Sequence, residues 1–188
     1  MYFTDPLPSI PKDIHEGLGR WSSTKKLISS ALLAVLTSIL QSAGGLLPGV
    51  GLFISPFSTM AILVSTVISL KHGIFSYILS IFLLMLMEPS ELFIFPFTTG
   101  LLGLGIGWGL YNLNRRIAVI LMGAITLSIG IHIPLYILKF PVFGPLVSSI
   151  PDMGVLMPIF GFALLYSWLW LELGLYVLRR LDGFLFSA

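Results

Sequence analysis

The sequence predicts an all-α polytopic membrane protein with six transmembrane helices and both termini in the cytoplasm. Three observations carry this. Hydrophobic residues make up 56% of the 188 and charged residues only 10%, where a soluble domain carries roughly 25% charged residues. The apolar residues gather into six segments, near 27–47, 56–70, 73–87, 92–111, 117–138 and 153–178. The basic residues fall almost entirely on one side of those segments. With the amino terminus inside and the loops counted alternately, Lys12, Arg20, Lys25, Lys26, Lys71, Arg115, Arg116, Arg179 and Arg180 are cytoplasmic, and Lys139 alone is outside. That asymmetry is what the positive-inside rule requires.

Taken in order, residues 1–26 read as a polar, Pro-rich cytoplasmic tail, with Trp21 placed as an interfacial aromatic and Ser22–Lys26 as the start of the first helix. No cleavable signal peptide is expected, because the first apolar run is longer than a typical signal core. The transmembrane domain covers 27–182, and 183–188 form a short carboxy-terminal tail. Spanning the hydrocarbon takes about 20 helical residues. The second and third segments are short by that measure, so they either borrow flanking residues or pair as a tight hairpin around Lys71-His72-Gly73. The inner loops are brief. The outer face receives a Gly/Pro-rich loop at 42–55, the acidic turn Glu88-Pro89-Ser90-Glu91, and a long loop from Lys139 to Asp152.

The residues able to carry chemistry are few. Gly100, Gly103, Gly105, Gly107 and Gly109 superficially suggest a nucleotide loop, but they lie inside an apolar span at GxxxG spacing, which close helix packing explains. Glu88 and Glu91 flank Pro89 at the outer end of the third and fourth segments, where they either stay solvated, cap the fourth helix or bind a polar or cationic group. His132 and Tyr136 lie one turn apart near the outer end of the fifth segment, with Pro134 between them. An ionisable group at that depth is a functional candidate. Gln41 and Ser42 end the first segment. Glu172 lies nearer the inner side, where an interhelical hydrogen bond or an ion pair with a cytoplasmic-side arginine accounts for it. Tyr166, Trp168 and Trp170 read as packing and interfacial anchors.

Enzyme chemistry is not expected. His15, His72 and His132 are dispersed, no Gly-x-Ser-x-Gly elbow occurs, and there is no Walker sequence. With no cysteine there is neither a disulfide nor a thiolate ligand. No metal and no cofactor are expected, and the net charge of +2 is too small to suggest nucleic acid.

The first helix carries Ser30-x-x-x-Ala34-x-x-x-Ser38, a stripe of small residues that marks contact with another helix. With six helices in under 200 residues, both ends inside and large outer loops, the chain resembles the substrate-binding S component of an energy-coupling factor (ECF) transporter. That family has Ala-x-x-x-Ala on its first helix. Here Ala34 matches, and serines 30 and 38 keep the small size. The resemblance implies capture of a vitamin-like nutrient near the outer surface, under the loop between the first two helices. It also implies partnership with a transmembrane T component and cytoplasmic ATPases in a bacterial or archaeal plasma membrane. Nickel and cobalt members carry a histidine close to the amino terminus. This chain begins Met1-Tyr2-Phe3, so an organic substrate is expected. Placed by position at the outer helix ends, the candidate substrate contacts are Gln41, Glu88, Glu91, His132, Tyr136 and Asp152. Loop 42–55 is the candidate lid, and Ser30, Ala34 and Ser38 the candidate partner contact. The alternative is a membrane scaffold of the cell envelope with the same topology and no enclosed polar cavity.

Overall fold

The chain is a multi-pass all-α membrane protein. The computed structural model describes residues 5–137 and 153–186, and among them six helical spans are long and apolar enough to cross a bilayer. A short helix α1 (Ile10–Gly19) precedes the long α2 (Ser23–Leu46). A four-residue helix α3 (Gly51–Ile54) and a 3-10 turn (Ser55–Phe57) lead into α4 (Ser58–Ile68), followed by α5 (Leu70–Met87). Two further 3-10 turns, Pro89–Phe93 and Phe95–Phe97, precede α6 (Thr99–Asn112). Then come α7 (Arg116–His132), a π turn (Ile133–Ile137) at Pro134, and α8 (Met153–Phe186).

The short second span is completed by borrowing. α3, the 3-10 turn and α4 together give Gly51–Ile68. It also forms the tight hairpin, reversed by one residue. Ser69 is extended (φ −171°, ψ 156°), and its hydroxyl accepts from the His72 amide to start α5. Ser22 caps α2 in the same way by accepting from the Lys25 amide.

α4 and α6 form the centre. Ile62, Leu63 and Val67 of α4 and Leu102, Ile106 and Leu110 of α6 are fully buried. The α6 glycines explain how the axes come so close. A Cβ on Gly103 would lie 2.8 Å from the Thr59 carbonyl, and one on Gly107 2.6 Å from Thr66 Cβ. The alternate pair faces the other neighbour, with Gly105 against Thr126 and Gly109 against Val119 of α7. The packing reading of these glycines therefore holds. α8 closes the far side on α7, where Gly123 meets Ser167. Outward-facing Leu32, Leu86, Ile129 and Leu165 form the apolar belt expected against lipid.

All the basic residues among those described lie at one end of the bundle, called here the basic end. Arg116, at the start of α7, pairs with Glu172 of α8, which gives Glu172 the arginine partner its position suggested. The Glu172 side chain is 36% exposed, so breaking the pair with Glu172→Gln is expected to cost about 1 kcal/mol. An Arg116→Glu/Glu172→Arg exchange should recover part of the loss in a thermal-unfolding comparison.

The amino-terminal region differs from the expected tail. α1 lies across the basic end with Ile14 and Leu18 buried against the core. The His15 ring stacks on Tyr111 at 4.1 Å, and its Nδ1 lies 2.7 Å from the Val67 carbonyl. Leu7 N donates to the Asn114 carbonyl, and Lys12 Nζ to Asn114 Oδ1. The segment is polar on average, yet Ile10, Ile14 and Leu18 repeat every four residues. That spacing puts an apolar stripe on one face of a helix. α1 also touches α8, so the first and last described helices meet at the basic end.

Candidate functional site

At the end of the bundle opposite the basic end, four helical segments each bring one polar side chain to a common buried point. Gln41 lies in the last two turns of α2. Ser58 and Thr99 are the first residues of α4 and α6, and Glu91 sits in the 3-10 turn after Pro89. All four are buried, Glu91 to 5% exposure. Gln41 organises the group. Its Oε1 accepts from Ser58 Oγ at 2.6 Å and from Thr99 Oγ1 at 2.9 Å. Two hydroxyl donors on the oxygen settle the orientation of the amide, and its Nε2 then donates to Glu91 Oε2 at 2.6 Å. The second Glu91 oxygen, Oε1, stands over Gly44 of α2. A Cβ at Gly44 would lie 2.6 Å from it. No described donor reaches that oxygen, and no lysine or arginine among the described residues pairs with this carboxylate.

Gln41, Glu91 and Thr99 of this network line a cavity of about 220 Å³. Leu127 and Ile131 of α7 and Phe162 and Tyr166 of α8 make its apolar wall. The Phe162 and Tyr166 rings lie 5.3 Å apart and nearly parallel. Ile94 and Thr98 line it from the turns before α6, and Leu52, Ser55 and Pro56 from the segment between α2 and α4.

That last segment is the expected lid, but it is not an open loop. α2 continues through Leu46, so Ser42 and Ala43 are buried helix residues. The reversal falls at Pro48–Val50, where Gly49 takes a left-handed φ of +78°. Gly51 then starts α3, with its amide on the Leu47 carbonyl.

Of the expected contacts, the structure brings Gln41 and Glu91 together and separates the others. Glu88 lies beside Gly45, accepts from Ser90 Oγ at 2.6 Å and does not line the cavity. His132 Nδ1 is engaged with the Ser128 carbonyl of its own helix, and its ring packs on Tyr136. Neither residue lines the cavity, and the Tyr136 hydroxyl is buried with no partner among the described residues. Asp152 and the loop from Lys139 lie outside the described residues. Most of the other contributors were not expected. Ser58 and Thr99 are uncharged hydroxyls at helix starts, and Tyr166 had been read as an anchor. The spacing of Phe162 and Tyr166, one turn apart on one face, is the signal that could have pointed to the wall.

The stripe on α2 also points inward. Ser30, Ala34 and Ser38 are all 0% exposed. Ser80 Oγ of α5 donates to the Ala34 carbonyl, and Ser38 Oγ to the Ser80 carbonyl. The chain's own α5 occupies the contact that small residues permit, and a partner helix would have to displace it to reach them. The face that α2 leaves open carries Leu32, Val35, Leu36 and Ile39.

Chemically, the site is suited to holding a molecule. Among the described residues its polar groups are hydrogen-bonded to one another around the Glu91 carboxylate. No three His, Asp or Glu side chains among the described residues gather as metal ligands. Compared with protein-family models, curated proteins and solved structures, the chain matches none.

Proposed function

We propose that this protein is the solute-binding membrane subunit of an ECF-type uptake transporter, seated in a bacterial or archaeal plasma membrane with its basic end in the cytoplasm. The observation that supports this reading is the cavity built on Gln41 and Glu91, roofed by the α2–α4 connection, at the end far from the basic residues. A pocket with an apolar wall and a few convergent polar groups is the usual form of a small-molecule site. A scaffold has no need to bury a carboxylate beside such a space. The positive-inside rule supports this orientation, with the basic end in the cytoplasm and the cavity on the outer side. The ligand is a small organic nutrient, and the subunit carries out no covalent chemistry on it. Translocation is driven by a T component and ATPases. The T component meets the open apolar face of α2, since the Ser30-Ala34-Ser38 stripe is covered by α5.

Native mass spectrometry of the protein from freshly isolated host membranes tests this. The expected result is one small organic molecule per chain, with T-component and ATPase chains in the same preparation. A bare chain accompanied only by envelope proteins would favour the scaffold reading instead.

A further inference from the structure

Glu91 sets a requirement on whatever fills the cavity. It is 95% buried, being 5% exposed, and its Oε2 is already engaged by the Gln41 amide. Its Oε1 has no described donor. Each lysine and arginine among the described residues lies at the basic end, on the far side of the bundle, and Lys139 is outside the described residues. A buried charge without a partner is costly, and a ligand cation offsets that cost directly. The nearby wall fits the same ligand. Phe162 and Tyr166 line the cavity with their rings stacked on each other, and an aromatic face within reach of a bound cation attracts it. Size narrows the ligand further. A cavity of about 150 Å³ holds a benzene molecule, so 220 Å³ takes one ring with a short arm.

We infer that the cavity selects a small organic cation, a ring-sized body whose protonated nitrogen donates to Glu91 Oε1 while the body packs on Tyr166 and Phe162. This rests on the reading of the cavity as a solute site. Gly44 belongs to the same device, because a Cβ there would lie 2.6 Å from Oε1 and push the carboxylate aside.

Three probes of one shape and different charge test the inference: benzylammonium, benzyl alcohol and benzoate. Binding is measured by ligand-observed NMR to the protein in nanodiscs, with empty nanodiscs subtracted. For the wild type, benzylammonium is expected to bind about tenfold or more tighter than benzyl alcohol, the margin of a charge-assisted hydrogen bond, and benzoate not at all. In Glu91→Gln, which keeps an acceptor for the Gln41 amide, that preference should vanish, with benzylammonium and benzyl alcohol binding the variant equally. Equal binding of benzylammonium and benzyl alcohol by the wild type overturns the cation assignment and leaves a solute site standing. If none of the three binds the wild type, the solute-site reading falls with it. Because the wild-type series decides by itself, poor folding of the variant does not rescue the inference.

Discussion

Gly107→Leu is expected to destabilise the bundle by about 3 kcal/mol, at the upper end of what overpacking costs. Even the first carbon of the new side chain would sit 2.6 Å from Thr66 Cβ and 2.9 Å from the Leu63 carbonyl. Neither can swing away, since one is held at the helix surface and the other is backbone. α4 and α6 must separate, and the fully buried layer of Leu63, Val67, Ile106 and Leu110 loosens with them. Gly109→Ala is the matched control. Its nearest neighbour would be a Val119 methyl at 3.1 Å, the end of a side chain able to shift by a few tenths of an ångström. Titration with SDS, followed by helical circular dichroism, should show an early transition for Gly107→Leu and a near wild-type one for Gly109→Ala. Equal transitions would mean that α4 and α6 do not pack through this glycine.

The second large effect is expected at Gln41. Gln41→Leu removes one acceptor and one donor together, leaving the Ser58 and Thr99 hydroxyls and Glu91 Oε2 without their partner. A buried polar group left unsatisfied costs about 1–3 kcal/mol. The hydroxyls can rotate to backbone carbonyls, while the carboxylate has no such alternative. The expected loss is therefore about 3 kcal/mol, most of it at Glu91. The double variant Gln41→Leu/Glu91→Leu should be more stable than the sum of the single effects by at least about 1 kcal/mol, the coupling expected of groups in one network. Simple additivity in the same SDS titration would show that the amide and the carboxylate act independently.

The six spans were legible because each depends on a property that accumulates along the chain. Twenty apolar residues outweigh any one misplaced side chain, and the glycines of α6 could be read as packing because their spacing lies wholly within one helix. The site depends instead on residues from four segments that meet only after folding. Glu91 was visible as a charge near a membrane boundary and Gln41 as a polar helix end. Ser58 and Thr99 carry no charge, and a hydroxyl in an apolar run most often bonds the carbonyl one turn back, as Thr37 does with Leu33. Nothing along the chain separates that habit from a contact with Gln41. His132 was misleading for the same reason: its ring turned to Ser128 of its own helix. The α2 stripe marks a helix contact, but a stripe does not name its partner, and here α5 fills it. α1 was concealed by averaging, since three apolar residues among polar ones vanish in a mean and appear only at a four-residue period.

The docking of α1 also sets a timetable for biogenesis. Its anchor residue Asn114 lies 102 positions beyond Lys12 in the chain. At ribosomal speeds of about 5–20 residues per second, α1 is made roughly 5–20 seconds before the corner that receives it. Until α4 has been made the stripe of Ile10, Ile14 and Leu18 has no protein surface to cover it, and the membrane interface is the nearest apolar shelter for an amphipathic helix. α1 packs on α4, α6 and α8, so its seat is complete only when the last described helix has been added.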